Sequence, residues 1–333
     1  MRITTSMMTK KYVRNLNNAT VSLDRIREQV ETGRKYFKGS EDPVSAIKAY
    51  KLRREYRASE MYEKSIQDAD SLFTTAETNL TQVHDSMEKV YNSYLKGITG
   101  TVGAEEKEII AKELENLQKT ILTALNGKFE DKYVFGGTSK DEIPFTVDPN
   151  GNLLFKGLKL NDPDPAVQDK LKELEKENID MDLGLGLKFD SSGTLVPDTA
   201  FNVSMSGLKF MRYGVDGSGM PNDLYSLIEG MKAEFRKPDY SLDNITPYIE
   251  KFEEQKKQVL VNLTDIGAKT NYLDFLKVRN DDSLFNLNEK LVEVELANPT
   301  EAITEFMMQK YSYNAALSMG NKILENSFID FMK

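Results

Sequence analysis

The chain lacks cysteine and tryptophan and contains a single histidine, His84. Zinc ribbons, iron–sulfur clusters, disulfide frameworks and cysteine nucleophiles all need cysteine, and HExxH peptidases need two histidines, so these classes are excluded. His84 stands between Val83 and Asp85 on a predicted helix. Because adjacent helical residues do not face each other, we expect a solvated surface histidine rather than half of a catalytic pair.

Long apolar runs and an excess of positive charge are also missing. No stretch is long and apolar enough to predict a membrane-spanning helix. The 333 residues include 53 acidic and 44 basic side chains, which gives a net charge of −9. The chain therefore lacks the excess of basic residues that favours nucleic-acid binding. No apolar core of a signal peptide is visible near the N-terminus, so export would need another route. We predict neither a nucleic-acid nor a membrane partner.

Candidate ligand motifs are incomplete. Residues 162–164 and 180–182 begin like calcium loops but lack the glycine and glutamate of an EF-hand, and surface turns are the expected alternative. The glycines at 184–186 and 217–219 extend to neither a dinucleotide fingerprint nor a P-loop. The sequence therefore predicts no catalytic residue, metal or cofactor. A carboxylate-based enzyme using Asp180 and Asp182 is the remaining enzymatic alternative.

Helical periodicity dominates both ends of the sequence. Asp42-Pro43 predicts the N-cap and first residue of a helix that runs to about Lys96. Thr246-Pro247 predicts the start of the longest helix, which continues towards Asn298-Pro299 and is followed by a last helix. Because proline interrupts a helix and asparagine can cap the next one, Asn298 and Pro299 are predicted to form a hinge.

In the middle of the chain, from about 133 to 219, the apolar period changes to two, which is typical of strands. Two alternating segments flank the turn Asp148-Pro149-Asn150-Gly151, and this predicts a β-hairpin. Further alternation over 183–189 and 201–205 predicts more strands, and 165–178 reads as a short charged helix. We expect a small, mostly antiparallel β-rich insert.

These patterns predict a mainly α fold, an elongated antiparallel bundle of long helices with a small β-rich insert. The apolar stripes at the two ends are too thin to offset the entropy of ordering, so we expect these segments to be disordered in the monomer and to fold in an assembly. The alternative is a self-contained bundle whose ends pack on its own body. The predicted domains are terminal coiled-coil segments at 1–44 and 299–333, a long-helix body at 45–138 and 220–298, and a β-rich outer domain at 139–219.

The apolar residues of the terminal stripes form the predicted assembly interface. Each large side chain would contribute about 1.5–3 kcal/mol if it were buried only in the polymer. The predicted interface residues are Leu16, Leu23, Ile26, Val30, Leu317, Leu324, Phe328 and Phe331.

Several short segments carry a recognisable pattern, and they are residues 1–8, 14–18, 33–35, 41–44, 133–137, 298–302 and 311–333. With these segments the chain resembles the flagellin-related hook-associated proteins. The resemblance covers about the first hundred and the last ninety residues, and apart from 133–137 the middle of the chain carries none.

This resemblance implies a flagellin-like fold and a structural, non-enzymatic role in joining the flagellar hook to the filament. It implies an extracellular protein exported by the flagellar type III system without a cleaved signal peptide. The implied partners are copies of the chain in a ring, a hook-side junction protein, flagellin and an export chaperone. Flagellins commonly have an Asp-Asp-Ala-Ala-Gly-type stretch where this chain has Glu41-Asp42-Pro43-Val44, but a flagellin-type filament subunit remains the alternative.

Overall fold

The protein is mainly α-helical, as predicted. A computed structural model describes residues 5–98, 103–237 and 241–329, with side chains from 6 to 98, 103 to 237 and 241 to 320. The helices are α1 (Thr5–Thr32), α2 (Pro43–Ile98), α3 (Ala104–Leu125), α4 (Pro165–Lys176), α5 (Leu208–Met211), α6 (Leu224–Phe235), α7 (Leu242–Glu295) and α8 (Pro299–Ile329). The strands are β1 (Lys128–Phe129), β2 (Lys132–Tyr133), β3 (Phe145–Val147), β4 (Leu153–Phe155), β5 (Leu158–Lys159), β6 (Asp180–Met181) and β7 (Phe201–Asn202).

The chain divides into two compact units. The terminal unit contains residues 1–60 and 281–333, and the central unit contains residues 61–280. These boundaries differ from those expected at 44, 138, 219 and 298, and the three-part division stays a prediction. None of the described helices is long and apolar enough to cross a membrane.

The core of the central unit follows the heptad stripe of α2. Asp42 caps this helix by accepting a 3.0 Å hydrogen bond from the Ser45 backbone N–H, as the sequence predicts. Nine apolar side chains then recur at spacings of three and four residues and are each at most 6% exposed. They are Ile66, Ala69, Phe73, Ala76, Leu80, Val83, Met87, Val90 and Tyr94.

The predicted hairpin forms, with β3, β4 and β5 in one antiparallel sheet. Phe145 lies opposite Phe155, and their rings pack edge to face with centroids 5.1 Å apart. Asn126, the residue that ends α3, anchors this sheet because its side-chain amide exchanges two hydrogen bonds with the backbone of Phe145. The buried hairpin side chains belong to the same apolar core as the α2 stripe.

The strand predicted over 183–189 does not form. Gly184 and Gly186 adopt φ angles of +79° and +81°, which belong to the left-handed region and not to extended backbone. Phe189 makes only an isolated bridge to Leu195, and the next predicted strand, over 201–205, shortens to β7. Of the alternating side chains Leu183 is buried, whereas Leu187 and Phe189 are 41% and 62% exposed, so the alternation here does not mark a strand with one buried face.

The helix predicted to be the longest, α7, has 54 residues against 56 for α2, and it starts earlier than expected. α7 begins at Leu242 and includes Pro247, which the sequence marked as its first turn. Proline removes the backbone donor that would bond the Asp243 carbonyl, but Ile245 in the same turn is fully buried. Burial of Ile245 therefore outweighs one missing hydrogen bond.

Candidate assembly interface

The terminal helices α1 and α8 pack against each other within the terminal unit. The Tyr12 hydroxyl donates a 3.1 Å hydrogen bond to the Ala316 carbonyl, near the start of α1. Further along α1, Leu23 lies beside Phe306 and Tyr313. The early part of one helix thus meets the late part of the other, so the pair is antiparallel.

The contact between these helices is a narrow seam, because the most buried side chains of each recur at spacings of three and four residues. Ile26 and Ala302, each 6% exposed, are the most buried apolar side chains of the seam. On α1 the seam consists of Tyr12, Leu16, Ala19, Leu23 and Ile26, and on α8 of Ala302, Phe306, Gln309, Tyr313, Ala316 and Gly320.

Small residues on α8 allow a close helix approach. A Cβ atom built on Gly320 would lie 2.0 Å from the Tyr12 hydroxyl oxygen, which is shorter than any allowed contact. Only glycine therefore leaves room for the Tyr12 ring at this position without a shift of that ring. Sequence reasoning did not select Tyr12 or Ala302, although Ala302 begins a regular three-four repeat that could have identified it.

The segments that join these helices to the body are bonded to each other. Gly33, with a φ of +71°, ends α1, and the next residue, Arg34, forms an antiparallel bridge with Leu296. The Lys35 N–H donates to the Glu295 carbonyl, and the Ala297 N–H donates to the Gly33 carbonyl, each at 2.8 Å. The two connecting segments therefore form a short two-stranded clasp.

A charged pair closes the clasp at one side. The Arg53 guanidinium lies 2.6 Å from the Glu295 carboxylate, and this hydrogen bond raises the pKa of Arg53. Tyr36 packs nearby, and its pKa is raised by burial first and by the negative charge of Glu295 second. Because both side chains are partly solvated, the pair is expected to orient the clasp more than to stabilise it.

The side of α8 that does not face α1 carries large apolar side chains among polar ones. Met308 and Tyr311 are 66% and 78% exposed, which is unusual for large apolar side chains. Because the helix has apolar residues on both sides, α1 alone cannot cover it. Among the α8 side chains that the structure describes, up to residue 320, the exposed large apolar ones are Ile303, Met307, Met308, Tyr311, Leu317 and Met319.

The predicted interface residues fall into three groups. Leu16, Leu23 and Ile26 lie in the seam, whereas Val30 and Leu317 are 37% and 39% exposed. The side chains of Leu324 and Phe328, and the whole of Phe331, lie outside the described residues.

The predicted hinge residues occupy the start of α8. The Asn298 side chain accepts a 3.1 Å hydrogen bond from the Thr300 N–H, and Pro299 is the first helical residue. This local geometry is that of an N-cap, and the hinge stays a prediction.

The carboxylates considered for an enzymatic site do not meet in a ligand cluster. Asp182 accepts a 2.9 Å hydrogen bond from the Gly184 N–H and a 3.5 Å bond from the Tyr62 hydroxyl, so it organises a turn. Asp180 is exposed on β6. In the described part of the chain, no group of three or more histidine, cysteine or carboxylate side chains is arranged to hold a metal.

Comparison with protein-family models finds a similarity in the N-terminal part of the chain. Residues 3–140 match the family model described as the bacterial flagellin N-terminal helical region. This match covers α1, α2 and α3 and the first strands, so this part of the chain is flagellin-like.

Comparison with individual proteins gives a more specific similarity. The chain is 20% identical over 327 residues to flagellar hook-associated protein 3 of Escherichia coli, covering 95% of both chains. It is 23% identical to hook-associated protein 3 of Salmonella typhimurium over 146 residues, or 44% of this chain and 46% of that one. The resemblance to hook-associated proteins noted from the sequence is thereby confirmed, and it supports a structural, flagellar role.

Solved structures share the fold. A structure assigned as a flagellar hook-associated protein of Vibrio parahaemolyticus has a TM-score of 0.60 at 19% identity, covering 77% of this chain and 100% of that one. Hook-associated protein 3 of Legionella pneumophila has a TM-score of 0.51 at 16% identity, covering 73% and 98%. The mainly α fold with a small β-rich part is therefore shared with these proteins.

Proposed function

We propose that this protein is a structural subunit of the bacterial flagellum that joins the hook to the filament. Its terminal helices pack axially with those of neighbouring copies as coiled coils. The observation that carries this proposal is the apolar face that α8 leaves exposed after pairing with α1. Similarity to hook-associated protein 3 over 95% of the chain supports the junction as the place where that face is covered.

The proposed partners follow from the same role. Copies of the chain form a ring whose two sides contact a hook-side junction protein and flagellin. An export chaperone covers the apolar C-terminal helix before assembly, and the flagellar type III system exports the chain without a cleaved signal peptide to the extracellular flagellum. Burial of side chains such as Met308 and Tyr311 supplies a hydrophobic driving force for these contacts.

A flagellin-type filament subunit is the second candidate. The match of residues 3–140 to the flagellin N-terminal helical region favours it. Purified chain seeded with filament fragments would then polymerise without limit, whereas a junction subunit adds only a short layer. Electron microscopy of the seeded reaction separates the two functions.

Removal of α8 tests the proposal. A chain that ends before Glu301 should keep a folded central unit, because the α2 stripe remains, but should no longer be incorporated at the hook tip. Circular dichroism checks the fold, and filament attachment in a strain lacking the wild-type gene checks function. Normal filament attachment by the truncated chain would contradict the proposal.

Point variants refine this test without removing a helix. Met308→Asp with Tyr311→Asp places two charges on the exposed apolar face, and we expect loss of filament attachment. The matched control is Glu305→Gln with Lys310→Gln, which changes charges on the same helix but leaves the apolar side chains intact. Equal effects of the two variants would show that the apolar face is not the determinant.

A further inference from the structure

One exposed face of α2 combines apolar and basic side chains. Val44, Ile47, Lys51 and Arg54 follow one another at spacings of three, four and three residues, which places them on one side of the helix. Val44 and Ile47 are 78% and 59% exposed, and both basic side chains are exposed too. The spacing is typical of a helix that pairs with another helix.

A face of α7 in the same terminal unit has the same spacing and the opposite charge. Asp282, Phe285, Glu289 and Val292 also follow at three, four and three residues. Phe285 and Val292 are 65% and 47% exposed, and both carboxylates are exposed. This face lies opposite the side of α7 that carries the buried Val294.

Neither face is covered within one chain. Among the described residues, Lys51 and Arg54 form no ion pair with a carboxylate, and Asp282 and Glu289 form none with a base. Two α2 faces would bring like charges together, and so would two α7 faces, so a symmetric contact of either face with itself is disfavoured.

We infer that the α2 face of one copy packs against the α7 face of the next copy in the assembly. The inference rests on the proposed function, because it requires copies to be placed side by side. Each chain offers one basic and one acidic face, so the contact is head to tail and repeats from copy to copy. A head-to-tail contact closes into a ring or continues as a helix, which is the geometry that a junction layer needs.

Charge reversal with complementation tests this pairing. In a strain lacking the wild-type gene, Lys51→Glu with Arg54→Glu, or Asp282→Lys with Glu289→Lys, should each reduce filamented cells by about tenfold or more, because like charges then oppose each other. Co-expression of the two variants should restore filaments, since the acidic α2 face of one meets the basic α7 face of the other.

A matched control and a folding check accompany the two variants. Lys112→Glu with Lys170→Glu makes the same change in net charge as the α2 variant, at exposed sites in the central unit, and should leave filaments unaffected. Circular dichroism of each purified full chain establishes that the reversed variants fold. The pairing would be overturned if either variant alone supported normal filaments. It would also be overturned if co-expression of the two folded variants restored no filaments, and this second result would assign the faces to contacts with a different protein.

Disulfide cross-linking tests the contact independently of the proposed function. The chain has no native cysteine, so Ile47→Cys and Phe285→Cys introduce single thiols at the two faces. The two full chains are mixed at high concentration and oxidised, and the rate of mixed-dimer formation is measured. This rate should be several-fold higher than in the control mixture of Ile47→Cys with Lys89→Cys, because a disulfide requires close Cα atoms. Equal rates would contradict the contact. If deletion of the gene leaves filaments attached, the proposed function fails, but this experiment still decides whether the faces meet.

Discussion

Three aspartates in the central unit build the same tight turn. In each, the Oδ1 atom accepts hydrogen bonds from the backbone N–H groups two and four residues later, with a left-handed glycine between them. The pattern is Asp-x-Asn/Ser-Gly-x, and the side chain replaces a backbone acceptor. The aspartates are Asp148, Asp190 and Asp216.

Asp216 should make stability depend on pH. The Lys251 ammonium, the Ser218 hydroxyl and the Met220 N–H hold its pKa well below the usual value. The folded state therefore favours the carboxylate, and its contribution is complete above the unfolded pKa of about 4 and is lost as pH falls further. Urea unfolding at pH 7 and pH 3 should show that Asp216→Asn lowers stability more at pH 7.

The turn at Asp190 provides the control. Its pKa is also lowered by hydrogen bonds, those of Ser192 and Thr194, but no ammonium group is among the main causes. Asp190→Asn should therefore show the same direction with a smaller difference between pH 7 and pH 3. A stability difference for Asp216→Asn that does not change with pH would contradict the argument.

At the scale of elements, α3 and α6 are joined by a buried polar network. The Lys232 ammonium, whose side chain is 6% exposed, donates to Gln118 at 3.0 Å and to Glu229 at 2.7 Å. The Gln118 amide in turn donates to the Tyr225 carbonyl at 3.0 Å. Such a network helps to fix how the two helices align, because a slip would separate the buried Lys232 ammonium from its Gln118 acceptor on α3.

Removal of one member should destabilise the helix pair. Gln118→Leu takes one acceptor from the buried Lys232 ammonium, and we expect a loss of about 1–3 kcal/mol in the free energy of unfolding. Lys232→Met in the same chain removes the ammonium group that has lost this acceptor, so the double variant should lose less than the sum of the two single variants. Denaturant unfolding of the four chains measures the coupling, and strict additivity would show that the network is not cooperative.

At the scale of the whole chain, burial is distributed unevenly. The α2 stripe contains six side chains with no exposed surface, among them Phe73, Leu80 and Met87. The seam between α1 and α8 is much thinner, with Ile26 still 6% exposed. Regions that bury few apolar contacts open locally at low free energy.

Amide exchange on the free monomer should report this difference. We expect fast exchange in α1 and α8 and slow exchange in 66–94 and 249–276, where the buried side chains lie. This measurement also tests the prediction that the terminal segments are disordered before assembly. Protection of the termini equal to that of the α2 stripe would instead favour the self-contained bundle.

Local signals in the sequence determined many of the elements. Asp42 marks the start of α2, where its side chain accepts a backbone hydrogen bond. Asn126 marks the end of α3, where its backbone N–H donates to carbonyls of the last turn. The heptad stripe of α2 and the hairpin at β3 and β4 are equally local, because their spacing sets which side chains share a face. The resemblance at the two ends also indicated the class of protein before any fold was considered.

Only the tertiary structure decided the features in which burial competes with a local preference. α7 starts before Pro247 because Ile245 is buried, and the segment around Gly184 and Gly186 turns instead of extending. Ala302, and not the more apolar Ile303, faces α1, because close helix packing rewards small side chains. The sequence records which side chains are apolar, but the space available beside each one depends on residues far away in the chain.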